Sequence, residues 1–481
     1  MRILVTGATG YIGGRLVSRL VAAGHEVRCM ARGSERLDGR FDERVEIVEG
    51  DVVNPAEVQS ALDGCAVAYY LIHSMGSTTA FAQIDHTAAR TFGECARKAG
   101  VRRIVYVGGL GDDGDSLSAH LRSRHEVGDM LRASGVSVIE FRAAQIIGSG
   151  SISFEMMRYL TERLPVMVAP KWVMTRCQPI GVGDILRYLI AAIDIAGTES
   201  KIYEVGGADV LTYREMMLEY AAIRGLSRKI VVVPFFTPRL SSYWVHLITP
   251  ISSRIAQPLI GGLHNEVVVR DDAARRDFPA IVPIGFKDAV LNALDRYKTG
   301  PETAWFDAYD LKRVPRDFTG TKEGMLMDVR VRKTSASARD VARVFSSLGG
   351  KRGWLAANSL WRIRGWMDRA VGGVGIRRGR RSASDLRLGD AVDFWRVEAY
   401  QREHLLRLRA EMKLPGRAWL EFEVEPSDGG STLRQTAYFE PRGLFGYLYW
   451  YSVAVFHEWV FSSMATRIVR EAEGREALAG G

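Results

Sequence analysis

The run Thr6-Gly7-Ala8-Thr9-Gly10-Tyr11-Ile12-Gly13 constrains the fold of this chain more than any other feature. It follows a β-branched run at 3–6 and opens a stretch of helical period at 11–23. Three glycines between a strand and a helix each have a mechanical reading: Gly7 makes the tight turn, Gly10 lets backbone approach a diphosphate, and Gly13 lets the helix pack closely on the strand. The unpaired N–H groups and positive end of the helix then favour an anion. Thr9, Tyr11 and Ile12 lie in the same turn and are counted with the glycines as cofactor-binding residues.

The pattern continues for about 150 residues. Short apolar runs at 26–30, 45–48, 66–72, 103–107 and 136–141 alternate with helical stretches at 56–62, 81–99 and 123–134. Strands buried on both faces, each followed by a helix, predict an α/β fold: a Rossmann-type parallel sheet with helices on both sides. From 148 to 298 the pattern loosens into a substrate-side cap. Residues 179–193 read as a loop feeding a helix, and 201–215 as strand, turn and helix, with Thr212 as cap and Glu215 completing a capping box. Residues 231–263 are apolar but broken by Pro234, Pro238, Pro250 and Pro258, which forbids one long helix and suggests short helices lining a cleft. The polar stretch 299–323 reads as a linker. Beyond it, 324–475 reads as a separate α+β domain: strands at 325–331, 391–399, 405–412, 418–425 and 432–439, a hairpin turn at Gly429-Gly430, and a closing helix at 445–471.

Composition narrows the function classes. At 481 residues, 47% hydrophobic and 25% charged, the chain can bury two or more ordinary cores. Cys29, Cys65, Cys95 and Cys177 lie far apart with no CxxC pair, which argues against a disulfide framework or a thiolate zinc site and fits a reducing cytoplasm. No HExxH, GxSxG or paired-histidine spacing points to metal or acyl chemistry. The glycine-rich opening leaves no room for a secretory apolar core. The net charge of +9 rests on 54 arginines and 11 lysines scattered along the chain, so nucleic acid is not the expected partner. Residues 444–461 are nearly long enough to span a bilayer, but they contain His457 and Glu458 and carry aromatics throughout. They read as a buried helix, with an interfacial helix in peripheral membrane contact, or a membrane-spanning helix, as the alternative. Oligomeric state is not legible.

The second strand ends Val27-Arg28-Cys29-Met30-Ala31-Arg32-Gly33-Ser34, without the acid that usually holds an NAD ribose. Arg32, with Ser34 or Arg36, suits a 2′-phosphate, which favours NADP(H) over NAD(H); a solvated arginine is the competing reading. Asp51 in Gly50-Asp51-Val52 reads either as an acceptor for an adenine amino group or as a capping turn before Pro55. Leu71 and His73, ending the fourth strand, fall along the cofactor edge.

These residues resemble the extended and atypical short-chain dehydrogenase/reductases, particularly NmrA-like and complex-I-subunit-like members. The match rests on TGATGYIG, GDV, the run from Phe141 to Gly148, Gly183-Asp184, and Tyr203-Glu204-Val205-Gly206-Gly207, and covers roughly residues 1–300. The remainder resembles a bacterial domain of unknown function and is similar to helix-grip (START-like) folds. The resemblance implies a hydroxyl residue after the fifth strand and a Tyr-x-x-x-Lys pair that moves a proton and holds the nicotinamide ribose. Here the fifth strand ends Val107-Gly108-Gly109-Leu110-Gly111, and the pair aligns with His120 and Arg124. Histidine is a competent general acid near neutral pH, whereas arginine can hold ribose but cannot shuttle a proton. Two functions follow. One is an NAD(P)H-dependent oxidoreductase with His120 and Arg124 as catalytic residues, acting on a small apolar carbonyl or enone, lipid- or quinone-like. The other is a non-catalytic NAD(P)-binding sensor or assembly protein, with membrane association an open possibility. In the C-terminal domain, Arg377, Arg378, Arg380 and Arg381 form either an anion site or a solvated loop. Trp354, Trp361, Trp366, Trp395 and Trp419 read as core packing or as the wall of an apolar cavity.

Overall fold

The computed structural model describes residues 1–33, 37, 41–72, 79–111, 117–233, 259–294, 317–322, 325–370, 372, 375, 380 and 386–479. Ser34, Arg36, His73, most of the 231–263 segment, most of the 299–323 linker, and Arg377, Arg378 and Arg381 lie outside the described residues. The chain divides into two compact units, Met1–Asp310 and Leu311–Gly481.

The first unit is built on seven parallel strands: β1 (Arg2–Thr6), β2 (Glu26–Ala31), β3 (Glu46–Glu49), β4 (Val67–Tyr70), β5 (Arg103–Gly109), β6 (Ser137–Ala143) and β7 (Lys201–Val205), in the order β7-β6-β5-β4-β1-β2-β3. Side chains alternate between two buried faces. Ile3, Val5, Tyr69 and Val105 meet Leu16, Val17 and Leu20 of α1 (Tyr11–Ala22). Leu4, Tyr70, Ile104 and Tyr106 meet Val58 of α2 (Pro55–Leu62), Phe92 of α3 (Thr79–Lys98) and Leu131 of α4 (Ala119–Ala133). Burial on both sides is why these strands read as continuous apolar runs rather than alternating ones. The order reverses at β1, which pairs with β2 on one side and β4 on the other. A doubly wound sheet opens a crevice at that point, beyond the carboxyl ends of its strands.

One buried charge cluster lies in this sheet. Glu140 on β6 is fully buried and receives Arg142 Nε at 2.9 Å and a guanidinium hydrogen bond from Arg132. Gly108 and Gly128 leave room for it, since a Cβ at either would crowd its carboxylate.

The cap packs α5 (Ile152–Arg163) against α7 (Tyr213–Ile223), with α6 (Val182–Ala191) returning to the sheet beside α1. Thr212 and Glu215 form the expected capping box: the Thr212 hydroxyl accepts from Glu215 N at 3.1 Å and Glu215 accepts from Thr212 N at 2.7 Å. The α8 helix (Phe286–Leu294) completes this apolar layer.

The second unit is an antiparallel sheet of β8 (Phe318–Lys322), β9 (Met325–Thr334), β10 (Ala391–Val392), β11 (Trp395–Gln401), β12 (Leu405–Ala410), β13 (Gly416–Ser427) and β14 (Gly430–Pro441), in the order β8-β9-β14-β13-β12-β11-β10. Its core joins Leu420, Phe422 and Leu433 to α9 (Ala338–Phe345) and to Met464, Ile468 and Ala472 of a 37-residue closing helix. Residues 318–322, expected in the linker, are instead the edge strand β8, paired Phe318 to Val329 and Lys322 to Met325. An edge strand needs few apolar residues, so its polarity misled the reading. Gly430 is required by the close approach of β9, because a Cβ there would lie 2.1 Å from the Thr334 carbonyl oxygen. Trp354, Trp395 and Trp419 are buried and Trp361 is half-buried, whereas Trp366 is exposed. Arg380 donates to the carbonyls of Leu348 and Ser346, so its guanidinium ties two turns together.

Candidate active site

The turn from β1 into α1 is shaped by contacts that exclude side chains. Gly7 has φ +75°, and a Cβ on it would lie 2.5 Å from the Leu71 carbonyl oxygen. A Cβ on Gly13 would lie 2.3 Å from the Gly7 oxygen, so Gly13 sets how closely α1 approaches the turn. Gly10 donates to the Gly7 carbonyl at 2.9 Å and is the N-cap of α1, in extended backbone without a side-chain cap. The first turn of α1 carries no acid. Helix N-terminal N–H groups without a side-chain cap attract a diphosphate, and the glycines leave space for one.

That turn forms one end of a cavity of about 880 Å³. Gly7, Thr9, Gly10, Tyr11, Ile12, Arg32, Asp51, Val52, Leu71, His120 and Arg124 all line it. Gly13 does not, because it packs behind the turn. Arg32 is exposed just past β2. Asp51 Oδ1 accepts from Val53 N at 3.2 Å and Asp51 N donates to Glu57 at 2.7 Å, so Asp51 shapes the turn while also facing the cavity. The cap of α2 itself is Asn54.

At the end of β5, Val107, Gly108, Gly109 and Leu110 form the wall opposite α1. A Cβ at Gly108 would lie 2.8 Å from Glu140, and one at Gly109 2.6 Å from Leu121. A hydroxyl residue at either place therefore requires rearrangement. His120 and Arg124 lie one turn apart on α4, whose N-cap Ser118 accepts from Leu121 N at 3.3 Å. Arg124 donates to the Val107 carbonyl, and the Arg124 carbonyl accepts from Tyr106 Oη at 3.0 Å. Burial, reinforced by the positive charge of Arg124, pushes the His120 imidazole down to about 4. At neutral pH its ring is uncharged, so it is not the ready imidazolium acid that its residue type suggests. A neutral ring still offers an N–H donor to a carbonyl oxygen.

The far end of the cavity is apolar. Met156, Met157 and Leu160 from α5, Trp172 from the short 3-10 turn Lys171–Met174, Tyr213 and Met217 from α7, and Leu259, Ile260 and Leu263 line it. Trp172 and Tyr213 meet edge to face with centroids 6.2 Å apart. Sequence reasoning placed the cleft at 231–263, of which Leu259, Ile260 and Leu263 line the cavity, and did not assign α5 or α7 to its wall. Their signal was a methionine-rich helical period at 156–160 and 213–217.

Two comparisons cover most of the chain. Residues 7–147 match the family described as NAD(P)H-binding. The first unit carries an NAD(P)H-binding domain. Residues 322–464 match a protein family of unknown function, DUF2867, so the second unit carries that domain. Among curated relatives, the chain is 27% identical over 238 residues to a ceramide reductase of Caulobacter vibrioides, covering 48% of this chain and 73% of that protein. It is 24% identical over 333 residues to the mitochondrial NADH dehydrogenase [ubiquinone] 1 alpha subcomplex subunit 9 of Arabidopsis thaliana, covering 65% and 82%. An Escherichia coli NADPH-dependent quinone oxidoreductase, solved with NADPH, aligns over 61% of this chain and all of its own at 18% identity and a TM-score of 0.49.

Proposed function

We propose that the NAD(P)H-binding domain is a reductase that takes its hydride from NADP(H) and delivers it to an apolar carbonyl or enone of lipid- or quinone-like character. The observation that carries this reading is the continuity of the cavity, which runs from the α1 N-terminus past His120 to the methionine-lined wall. Its volume lies toward the upper end of the roughly 300–1,000 Å³ range of ligand pockets. When bound, the cofactor supplies a hydride from its nicotinamide ring. The chain's own residues do the rest. Gly7, Gly10 and the first turn of α1 hold the diphosphate, and Arg32 favours a 2′-phosphate over a bare ribose hydroxyl. Arg124, held against the end of β5, presents positive charge where the nicotinamide ribose belongs. His120 donates its neutral N–H to the substrate oxygen and polarises the carbonyl. Because a neutral imidazole is a very weak acid, the product oxygen takes its proton from water. The apolar wall selects the substrate body, and the ceramide reductase relative supports a lipid-like one.

A second reading draws on a specific departure. Gly108, Gly109, His120 and Arg124 stand where this reductase family places its hydroxyl, tyrosine and lysine, and one relative is a respiratory-complex subunit. A domain that binds NAD(P)H without turnover, as a sensor or assembly protein, fits that pattern. The long helix held by an antiparallel sheet keeps the helix-grip, START-like reading of the second unit as part of this proposal. The two functions separate in one experiment. Purified protein is supplied with NADPH and a panel of quinones, enones and long-chain ketones, and cofactor oxidation is compared between wild type and His120→Ala. Oxidation by wild type that falls at least tenfold in the variant supports the reductase. NADPH binding without oxidation on any substrate supports the sensor.

A further inference from the structure

The second unit carries an apolar surface that its own fold leaves uncovered. The closing helix, α11 (Gly443–Ala479), and the helix beside it, α10 (Asn358–Ala370), both contribute. Trp361 packs on Phe461 with ring centroids 6.3 Å apart, and the Arg364 guanidinium lies 5.9 Å from the Tyr449 ring centroid, so α10 lies beside the first half of α11. Inward, Trp450 stacks on Phe439 at 5.8 Å. Outward, Phe445 is 77% exposed, and Leu448, Tyr451, Phe456 and Trp459 are each more than half exposed. On α10, Trp366 is 76% exposed, with Ile363 and Met367 more than half exposed. The spacing of each set follows a helical stripe. Eight large side chains exposed to this degree present on the order of 1,000 Å² of apolar surface, beyond the roughly 300–600 Å² largest patch of an ordinary monomer.

The charges around the stripe decide what covers it. Arg362 and Arg369 are exposed on α10, and Arg442 is exposed just before α11. The acid of α10, Asp368, is fully buried, accepting from Gly375 N at 2.8 Å and Lys413 N at 2.7 Å. From Gly443 to His457 the sequence holds no charged residue, and Glu458 is the first acid. Aromatic side chains flanked by the exposed Arg362, Arg369 and Arg442, against the exposed acid Glu458 beside Trp459, match the headgroup layer of an anionic bilayer. Among the described residues no helix is long and apolar enough to cross a membrane, so the geometry is that of a helix pair lying flat.

We infer that the exposed faces of α10 and α11 dock the second unit onto an anionic lipid surface. This stands apart from the reductase reading and is tested without any substrate. The full chain is floated with phosphatidylcholine vesicles prepared with and without phosphatidylglycerol, alongside Phe445→Ser/Trp459→Ser and Trp366→Ser variants. Their circular dichroism and melting temperature report folding, and such exposed positions leave both unchanged. Wild type floats with the anionic vesicles, more weakly in high salt, and the double variant loses at least tenfold in partitioning. Failure of wild type to float, or variants floating equally well, overturns the inference. So does concentration-dependent self-association in sedimentation velocity that the same substitutions abolish, because the stripe is then an interface between copies of the chain.

Discussion

The charge state of His120 makes a stability prediction that needs no knowledge of the substrate. Burial and Arg124 lower the imidazole from its ordinary 6.5 to about 4 in the folded chain. In the unfolded chain it titrates normally. Above pH 6.5 both states leave the ring neutral and the linkage is silent. As pH falls from 6.5 toward 4, the unfolded chain takes up a proton that the folded chain refuses, so stability is lost across that window. At about 1.4 kcal/mol per pH unit, the loss reaches roughly 2 kcal/mol at pH 5 and about 3 kcal/mol at pH 4. Replacing His120 by Asn removes this component alone. His457 in the second unit, half-buried and lowered by desolvation to about 4, titrates in the same sense but is common to both proteins and cancels in the difference. The assay is urea unfolding of wild type and His120→Asn at about pH 7.5 and pH 5. Wild type is expected to lose roughly 2 kcal/mol more than the variant between the two conditions. Identical pH dependence would show that the ring is solvated, and with it the neutral-donor role assigned to His120 would fall.

Three further perturbations probe the cradle and the sheet. Arg32→Ala should weaken NADPH about 10- to 100-fold by calorimetric titration, the worth of a charged hydrogen bond, while leaving NADH nearly unchanged; equal losses would remove the 2′-phosphate role. Gly13→Val forces a Cβ to within 2.3 Å of the Gly7 oxygen and should cost about 1–3 kcal/mol of stability and abolish measurable dinucleotide binding. Unaltered binding there would show that the turn does not hold the diphosphate. Glu140→Ala leaves Arg132 and Arg142 without their shared carboxylate and should cost about 3–5 kcal/mol in denaturant unfolding, whereas a loss below about 1 kcal/mol would mean the cluster is solvated.

Much of the first unit could be read from the chain because its signals are local. The strand at Ile3 to Thr6, the glycine turn and the α1 helix follow one another within 22 residues, and each obeys a periodicity or a backbone requirement that neighbouring residues impose. The capping box at Thr212 and Glu215 was legible for the same reason, as was the antiparallel run ending at Gly430. Other features depend on residues distant in sequence. That Gly7 must be glycine because of Leu71 becomes quantitative only when β4 is placed against β1. The polar run 318–322 is a strand because β9 offers it an edge, not because its own residues demand one. His120 has the same covalent structure in either setting, but packing removes water from its ring and brings Arg124 beside it, which exchanges an expected acid for a neutral donor. The apolar wall of Met156, Trp172 and Met217 comes from segments tens of residues apart, and the aromatics of 444–461 divide between core and surface according to which side of the helix meets the sheet. Local backbone preference and side-chain periodicity are written along the chain. Desolvation, close approach and the choice of which apolar face is covered arise only when remote segments exclude water together.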